Sequence, residues 1–496
     1  MRKAFDRQRR LDCPSVGNVT LNLNCRNETI PILRALQHIY NTPKVRDSIL
    51  GAIARDVNGQ SDATLGRPGL SYWEILVLAG ARLGCGYDYD QLQDLAENHR
   101  ALRQVMGIGD WEGAEKDKDQ ERFGWRRIEG NLILLRPETI ENINRAIIQE
   151  GHRLAPQAAE KVRGDSFVVE TNIHYPTDSS LMVDGLRKVL GLAAMLAGLF
   201  GLIGWRQQKH LYRKVRKLAR RIDRIAARKG SGYQEKMKQP YRELLEVADI
   251  VLTRAETLRE TVRKYGTGGG AEALSLDKDL ETYLQRTRHV CGLARRRVLQ
   301  GETIPNHEKL FSIFETYTQL YKRGKAGEPI QFGRLVLVFE DGAGFITHHH
   351  ILPRDKGDRD VVVEQTRTAQ KRHRGKIRRG SFDRGFHSPQ VQDELAKILE
   401  HPCVPMPGSK QAAEQEQTAS IEFRNARQSH PGIESAIGAL QAGNDLKRCR
   451  DRSEKGFERY VGLGVLGRNL HVLGKLLIAR EAPHTQAAYS RRKQVA

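Results

Sequence analysis

Residues 333–353 read GRLVLVFEDGAGFITHHHILP, and this stretch restricts the fold more than any other. Two runs rich in β-branched and aromatic residues flank EDGAG, the pattern of a β-hairpin. The remaining extended runs are few. One spans 165–174 (DSFVVETNIH), a second lies within IRRGSFDRGFHSPQ, and a third is HPCVPMPG. Apolar residues at steps of three and four fill the segments between them. The order after residue 160 is therefore strand, large helical insert, hairpin, helix, strand, helix, strand, helix. This is an α/β chain with a mixed sheet flanked by helices.

The region before the first strand reads as helical. PILRALQHIYN and YWEILVLAGARLGCGYDYDQLQDLAENHRALRQVMGI both carry helical spacing, and GQSDATLGRPG between them has loop chemistry. GDWEGAEKDKDQERFGW reads as a charged hinge ahead of another amphipathic helix, RPETIENINRAIIQEGHRLA. We expect a helical N-terminal domain over 1–115, a helical linker over 116–160, and a sheet-containing domain over 161–480. That domain carries a helical insertion at about 206–300. SKQAAEQEQTAS reads as a polar linker and residues 481–496 as a disordered basic tail. Residues 189–205 contain no charge, which approaches the ~20 residues of a membrane span. The stretch carries four glycines and has no companion elsewhere, so a buried core helix is expected and no membrane partner.

Charge narrows the choice of partners. There are 82 Lys+Arg against 60 Asp+Glu, a formal net charge of +22, and an excess of that size favours polyanions. It concentrates in WRQQKHLYRKVRKLARRIDRIAARKG, where residues 206–229 hold eleven Lys/Arg and one Asp. Leu211, Val215, Leu218, Ile222 and Ile225 recur at helical steps, leaving the basic residues on the other faces. Arg213, Lys214, Arg216, Lys217, Arg220 and Arg221 then suit either phosphate contact or a solvated coiled-coil face. The six cysteines show no metal-ligand spacing, and the charged N-terminus lacks the apolar core of a secretory signal. A cytoplasmic, nucleoid-associated setting is expected. His348, His349 and His350 could suggest a metal, but neighbours in a strand point to opposite faces.

A polyanion binder with acids at the ends of its sheet elements invites metal chemistry. Asp165 begins the first strand, Asp383 follows the strand in SFDRGF, and Glu434 sits in the first turn of a helix after SHPG. Carboxylates bind hard cations such as Mg²⁺, and two such ions can stabilise both the attacking and leaving oxygens of a phosphodiester. Each acid also has an ordinary role: a turn for Asp165, an ion pair with Arg384 for Asp383, helix-dipole complementation for Glu434. Spacing alone does not choose three among 60 acids. Glu170 and Asp178 compete with Asp165, although 165 and 170 project to opposite faces of a strand.

DSFVVETNIHYPTDSSLM, HEKLFSIFETYTQLYKRGKAG, SFDRGFHSPQVQDEL and GIESAIGALQAGNDLKRCRDRSEKGFERYVGLGVLGRNL together resemble DDE-class transposases of bacterial insertion sequences, of the ISNCY type. The resemblance covers nearly the whole chain. It implies an RNase H-like core whose Asp-Asp-Glu triad is Asp165, Asp383 and Glu434. It further implies two Mg²⁺ ions, with Mn²⁺ as a substitute. The implied chemistry is cleavage at the element's terminal inverted repeats, then attack of the freed 3′-hydroxyl on target DNA by a homodimer assembled on DNA. One departure concerns the Tyr-Arg-Glu-Lys signature of related enzymes: Arg427, His430 and Gln441 occupy its steps around Glu434. Phosphate contacts then fall to Arg424, Arg427, Lys447 or Arg448. The alternatives are a DNA-binding derivative that has lost catalysis, and a metal-dependent nuclease on the same core.

Overall fold

The computed structural model describes residues 2–5, 13–59, 69–109, 123–228, 230–264, 270–322 and 329–495. Most of the expected loop after Gly59 and of the charged hinge after Gly109 lies outside them. Among the described residues, seven α-helices precede the first strand: α1 (Thr29–Tyr40), α2 (Pro43–Asn58), α3 (Tyr72–Gly84), α4 (Tyr89–Asn98), α5 (Arg100–Val105), α6 (Trp125–Leu132) and α7 (Pro137–Leu154). Strand β1 (Lys161–Thr171) leads to α8 (Asp178–Leu199), α9 (Gln208–Arg228), α10 (Tyr233–Lys264), α11 (Gly270–Ala294) and the short β2 (Gln319–Tyr321). The hairpin follows as β3 (Gln331–Asp341) and β4 (Ile346–Ile351), then α12 (Asp358–Arg372), β5 (Arg379–Phe382), α13 (Pro389–Ala396) and β6 (His401–Cys403). The chain ends with α14 (Ser409–Thr418), α15 (Ile421–Ser429), α16 (Gly432–Gly438), β7 (Arg448–Cys449) and α17 (Glu454–Val495).

These elements form two compact units, Met1–Asn172 with Gly333–Ala496, and Ile173–Phe332. In the first, the strands run in the order β4-β3-β1-β5-β6, with β7 also on β1. Strand β3 is antiparallel to β1 and to β4, whereas β5 is parallel to β1 and to β6. The expected mixed sheet with flanking helices is present. Strand β1 begins four residues earlier than expected, so Asp165 lies inside it. Lys161 and Arg163 interrupt the apolar run that the eye follows, but the parallel pairing of Lys161 with Arg379 carries the ladder back to them.

The N-terminal helices do not separate at residue 115. They pack with α17 in the same compact unit as the sheet, with α1, α3 and α7 against it. Helix α3 buries all 13 of its residues, as a helix apolar on every side must. A reciprocal capping box starts it: Ser71 Oγ accepts from Glu74 N, and Glu74 Oε2 accepts from Ser71 N at 2.7 Å. Buried Asn469 locks α17 to its neighbours. Its Oδ1 accepts from Ile346 N at 2.9 Å, and its Nδ2 donates to Asn144 Oδ1 at 2.9 Å.

The second unit is a bundle of α8–α11 with its own core, in which Leu186, Val215, Leu244 and Leu280 are fully buried. The insertion is thus wider than the expected 206–300. The uncharged run at 189–205 contributes to this bundle; its helix stops at Leu199 and Gly201 turns at φ 61°. Among the described residues, the helix long and apolar enough to cross a membrane is Glu454–Glu481, with 78% of its most apolar window buried. Scattered charges such as Arg468 hide it from a search for uncharged runs. The segment 409–420, expected to be a linker, contains α14: Ala, Gln, Glu and Lys favour helix without drawing an apolar stripe. Helix α17 likewise continues through the expected tail to Val495.

Candidate active site at the edge of strand β1

Strand β5 pairs with β1 only over its first residues, from Lys161↔Arg379 to Gly164↔Phe382. Strand β7 joins the same strand near its far end, at Glu170↔Arg448 and Thr171↔Cys449. The ladder with β5 therefore stops one residue before an acid on each side, Asp165 within β1 and Asp383 just past β5. An aromatic cluster fixes that stop. Phe382 meets Phe339 at 5.6 Å and Phe386 at 5.8 Å between ring centroids. Gly164 makes room for the rings, since a Cβ there would lie 2.6 Å from Phe382 and 2.9 Å from Phe339.

Past Phe382 the chain turns. Asp383 is exposed and caps a short 3₁₀ turn, its Oδ1 accepting from Arg384 N at 2.7 Å. Asp165 is half-buried and its Oδ1 accepts from Ser166 N at 2.7 Å. Helix α16 packs on β1 with exposed Glu434 in its first turn. The junction before α16 is tied down by Arg163, two residues from Asp165 and on the same face of β1. Arg163 Nη1 donates to Ser429 O at 2.9 Å, and its Nη2 pairs with Glu340 at 2.5 Å. A Cβ on Gly432 would collide with that guanidinium at 1.9 Å.

His430 connects the three elements and was not singled out by sequence as a site residue. Its Nδ1 lies 3.1 Å from Ser381 Oγ on β5. Burial lowers its pKa, and the charges of Asp383 and Glu434 oppose that shift while Arg163 reinforces it. One imidazole thus feels both the second acid and the third. The only sequence signal was its position four residues before Glu434. We expect Arg163→Ala to slow any chemistry at this site about 10- to 100-fold with little effect on nucleic-acid binding. Matched cleavage and gel-shift titrations check this, and an equal loss in both assays points to general unfolding.

The competing acids are engaged elsewhere. Glu170 pairs with Arg448 at 2.9 Å, and Asp178 sits in the first turn of α8, where it pairs with Arg297 at 2.6 Å. The same contact changes the expectation for Arg448, whose charge is already matched. Arg427 pairs with Glu416 at 2.9 Å, and Arg221 with Glu243 at 3.2 Å. Arg424 and Lys447 are exposed, as are Arg213, Lys214, Arg216, Lys217 and Arg220 along α9. Val215, Leu218 and Ile222 face the bundle core from the opposite side of that helix.

Among the described residues, no three His, Cys, Asp or Glu side chains are grouped so as to hold a metal ion, Asp165, Asp383 and Glu434 included. The donors at the β1 edge are all carboxylates, which fits a hard divalent ion whose shell is completed by substrate phosphate and water. The histidine run serves the fold. His348 Nε2 donates to Gln365 Oε1 at 2.9 Å, and its Nδ1 accepts from Arg372 at 2.7 Å. Burial and then Arg372 press its pKa down to about 3, and burial brings His349 and His373 to about 4. Below pH ~6.5 the unfolded chain takes up protons that these folded sites refuse, so stability falls as pH drops toward 4. The cost is at most about 2 kcal/mol per histidine at pH 5. Melting temperature should fall between pH 7 and 5, and His373→Gln should flatten that fall; an unchanged slope removes His373 from the effect.

No family model, curated protein or solved structure matches the chain.

Proposed function

We propose that this chain is a DDE-class transposase that cuts DNA at the ends of a mobile element and joins the freed 3′-hydroxyl to target DNA. The observation that carries the reading is the β1–β5 register, which ends on Gly164↔Phe382 and so leaves Asp165 and Asp383 as the first residues past the same end of that ladder. Helix α16, packed on the same strand, adds Glu434. The strand order β4-β3-β1-β5-β6, one antiparallel neighbour on one side of β1 and parallel strands on the other, supports an RNase H-like core.

On this reading Asp165, Asp383 and Glu434 would hold Mg²⁺ or Mn²⁺ for the scissile phosphate; the reason a basic protein keeps acids there is electrostatic, since phosphate and carboxylate repel unless cations lie between them. Bound divalent ions supply Lewis acidity and lower the pKa of a coordinated water or hydroxyl. Arg163 positions the α15–α16 junction, and His430, neutral at pH 7, adds no competing charge. Water attack on a phosphodiester releases the 3′-hydroxyl and leaves a 5′-phosphate; attack of that hydroxyl on target DNA exchanges one phosphodiester for another. A homodimer would hold two ends, in the bacterial cytoplasm at the nucleoid.

The basic face of α9 is the proposed DNA grip. Replacing Arg213, Lys214, Arg216, Lys217 and Arg220 by Gln should reduce the slope of log affinity against log salt by up to about 4.5, at ~0.9 per phosphate contact. An unchanged slope makes α9 scaffold alone. The central experiment incubates the protein with duplexes taken from the DNA flanking its gene, a target plasmid and Mg²⁺ or Mn²⁺. Joined products support a transposase. Cut-only products replace it with a nuclease, and a salt-sensitive shift without cleavage replaces it with a DNA-binding derivative.

A further inference from the structure

A cavity of about 290 Å³ opens on the other side of the sheet order, at β4 rather than β5. It shares no residue with the carboxylate site. Its walls are α7, β4, the C-terminal end of α12 with the turn after it, and Val465 of α17. That volume sits at the lower end of the range for small-ligand pockets. Its lining is strongly cationic: Arg145 and Arg153 from α7, Arg372 from α12, and Arg374 and Lys376 from the turn. The lining carries one carboxylate, Glu141, and it is paired with Arg372. Arg153 reaches Glu150 at 2.8 Å. Arg145, Arg374 and Lys376 stand exposed around the cavity.

Two details suggest that this concentration of charge is built rather than incidental. Arg374 holds φ 54°, a left-handed conformation that glycine adopts with less strain. Deeper in, His152 Nε2 lies 2.7 Å from Asp341 Oδ2, and Asp341 Oδ1 accepts from Ala343 N and Phe345 N in the hairpin turn. The buried acid is thereby occupied on both oxygens, and it is not among the residues that line the cavity. Guanidinium groups arriving from separate elements match the several oxygens of a phosphate, to which arginine donates in pairs.

We propose that this cavity binds a phosphate group, carried either by a small phosphate ester or by a nucleic-acid backbone. The site stands independently of the transposase reading. Calorimetric titration of the full chain with inorganic pyrophosphate at low salt tests it. One saturable equivalent is expected to disappear, or to weaken at least tenfold, in Arg145→Glu/Lys376→Glu, while the melting temperature holds. Arg374→Gly serves as a second variant, because it relieves the backbone while removing a cation: melting should hold or rise as binding weakens. Competition with duplex DNA separates the two sources. Stoichiometric displacement of pyrophosphate assigns a backbone phosphate, and retention assigns a free ester. Absence of saturable binding, or wild-type binding in both folded variants, overturns the proposal.

Discussion

Asp165→Asn, Asp383→Asn and Glu434→Gln are each expected to reduce strand cleavage and joining on the order of 10³-fold, with DNA binding unchanged or slightly tighter. The magnitude follows from the several kcal/mol that a positioned divalent ion contributes to phosphoryl chemistry, at about 1.4 kcal/mol per tenfold. The direction for binding follows from charge: each substitution removes a negative group from a surface that, on the proposed function, approaches phosphate. None of the three should disturb the fold greatly, since Asp383 and Glu434 are exposed and Asp165 is half-buried. Single-turnover cleavage beside a gel shift reads both quantities. Ordinary cleavage by any one variant removes that residue from the triad.

The second large effect is on stability. Gly467→Val should lower the melting of the sheet-containing unit by about 5–10 °C, from an overpacking cost of about 3 kcal/mol. Helices α3 and α17 cross backbone to backbone at this point: a Cβ on Gly467 would lie 2.5 Å from both Cα and N of Gly84. Those atoms cannot swing aside as a side-chain tip would. The α8–α11 bundle has a separate core, so its transition should stay in place. Scanning calorimetry resolves the two. A single unchanged transition would mean that the crossing is looser than these distances state.

The legible parts of the chain were those that local pattern encodes. Two β-rich runs around the EDGAG turn revealed the hairpin at β3–β4, helical spacing revealed α9, and the turn chemistry around SFDRGF put Asp383 just past a strand. Where a segment satisfies its backbone without an apolar stripe, as α14 does, periodicity had nothing to register. The domain division failed for a related reason. Helices α1, α3 and α7 carry ordinary amphipathic or apolar patterns, and nothing local in them says that their partner is α17, more than 300 residues later. Likewise the ion pairs that occupy Arg448 and Arg427 are made by Glu170 and Glu416, which no spacing rule connects to them.

By itself, then, the sequence determined the kinds of element, their order, the basic face of one helix and a short list of acids. Tertiary structure decided where those acids fall relative to the strand ladders, set His430 against Ser381 and Arg163 against the α15–α16 junction, and assembled a cationic cavity from residues between 141 and 465. The physical reason is that a side-chain period reports which face of an element is buried, and nothing more. Strand register and helix crossing depend on shapes fitted across long separations, such as Gly164 beneath the Phe339 and Phe382 rings and Gly467 against Gly84.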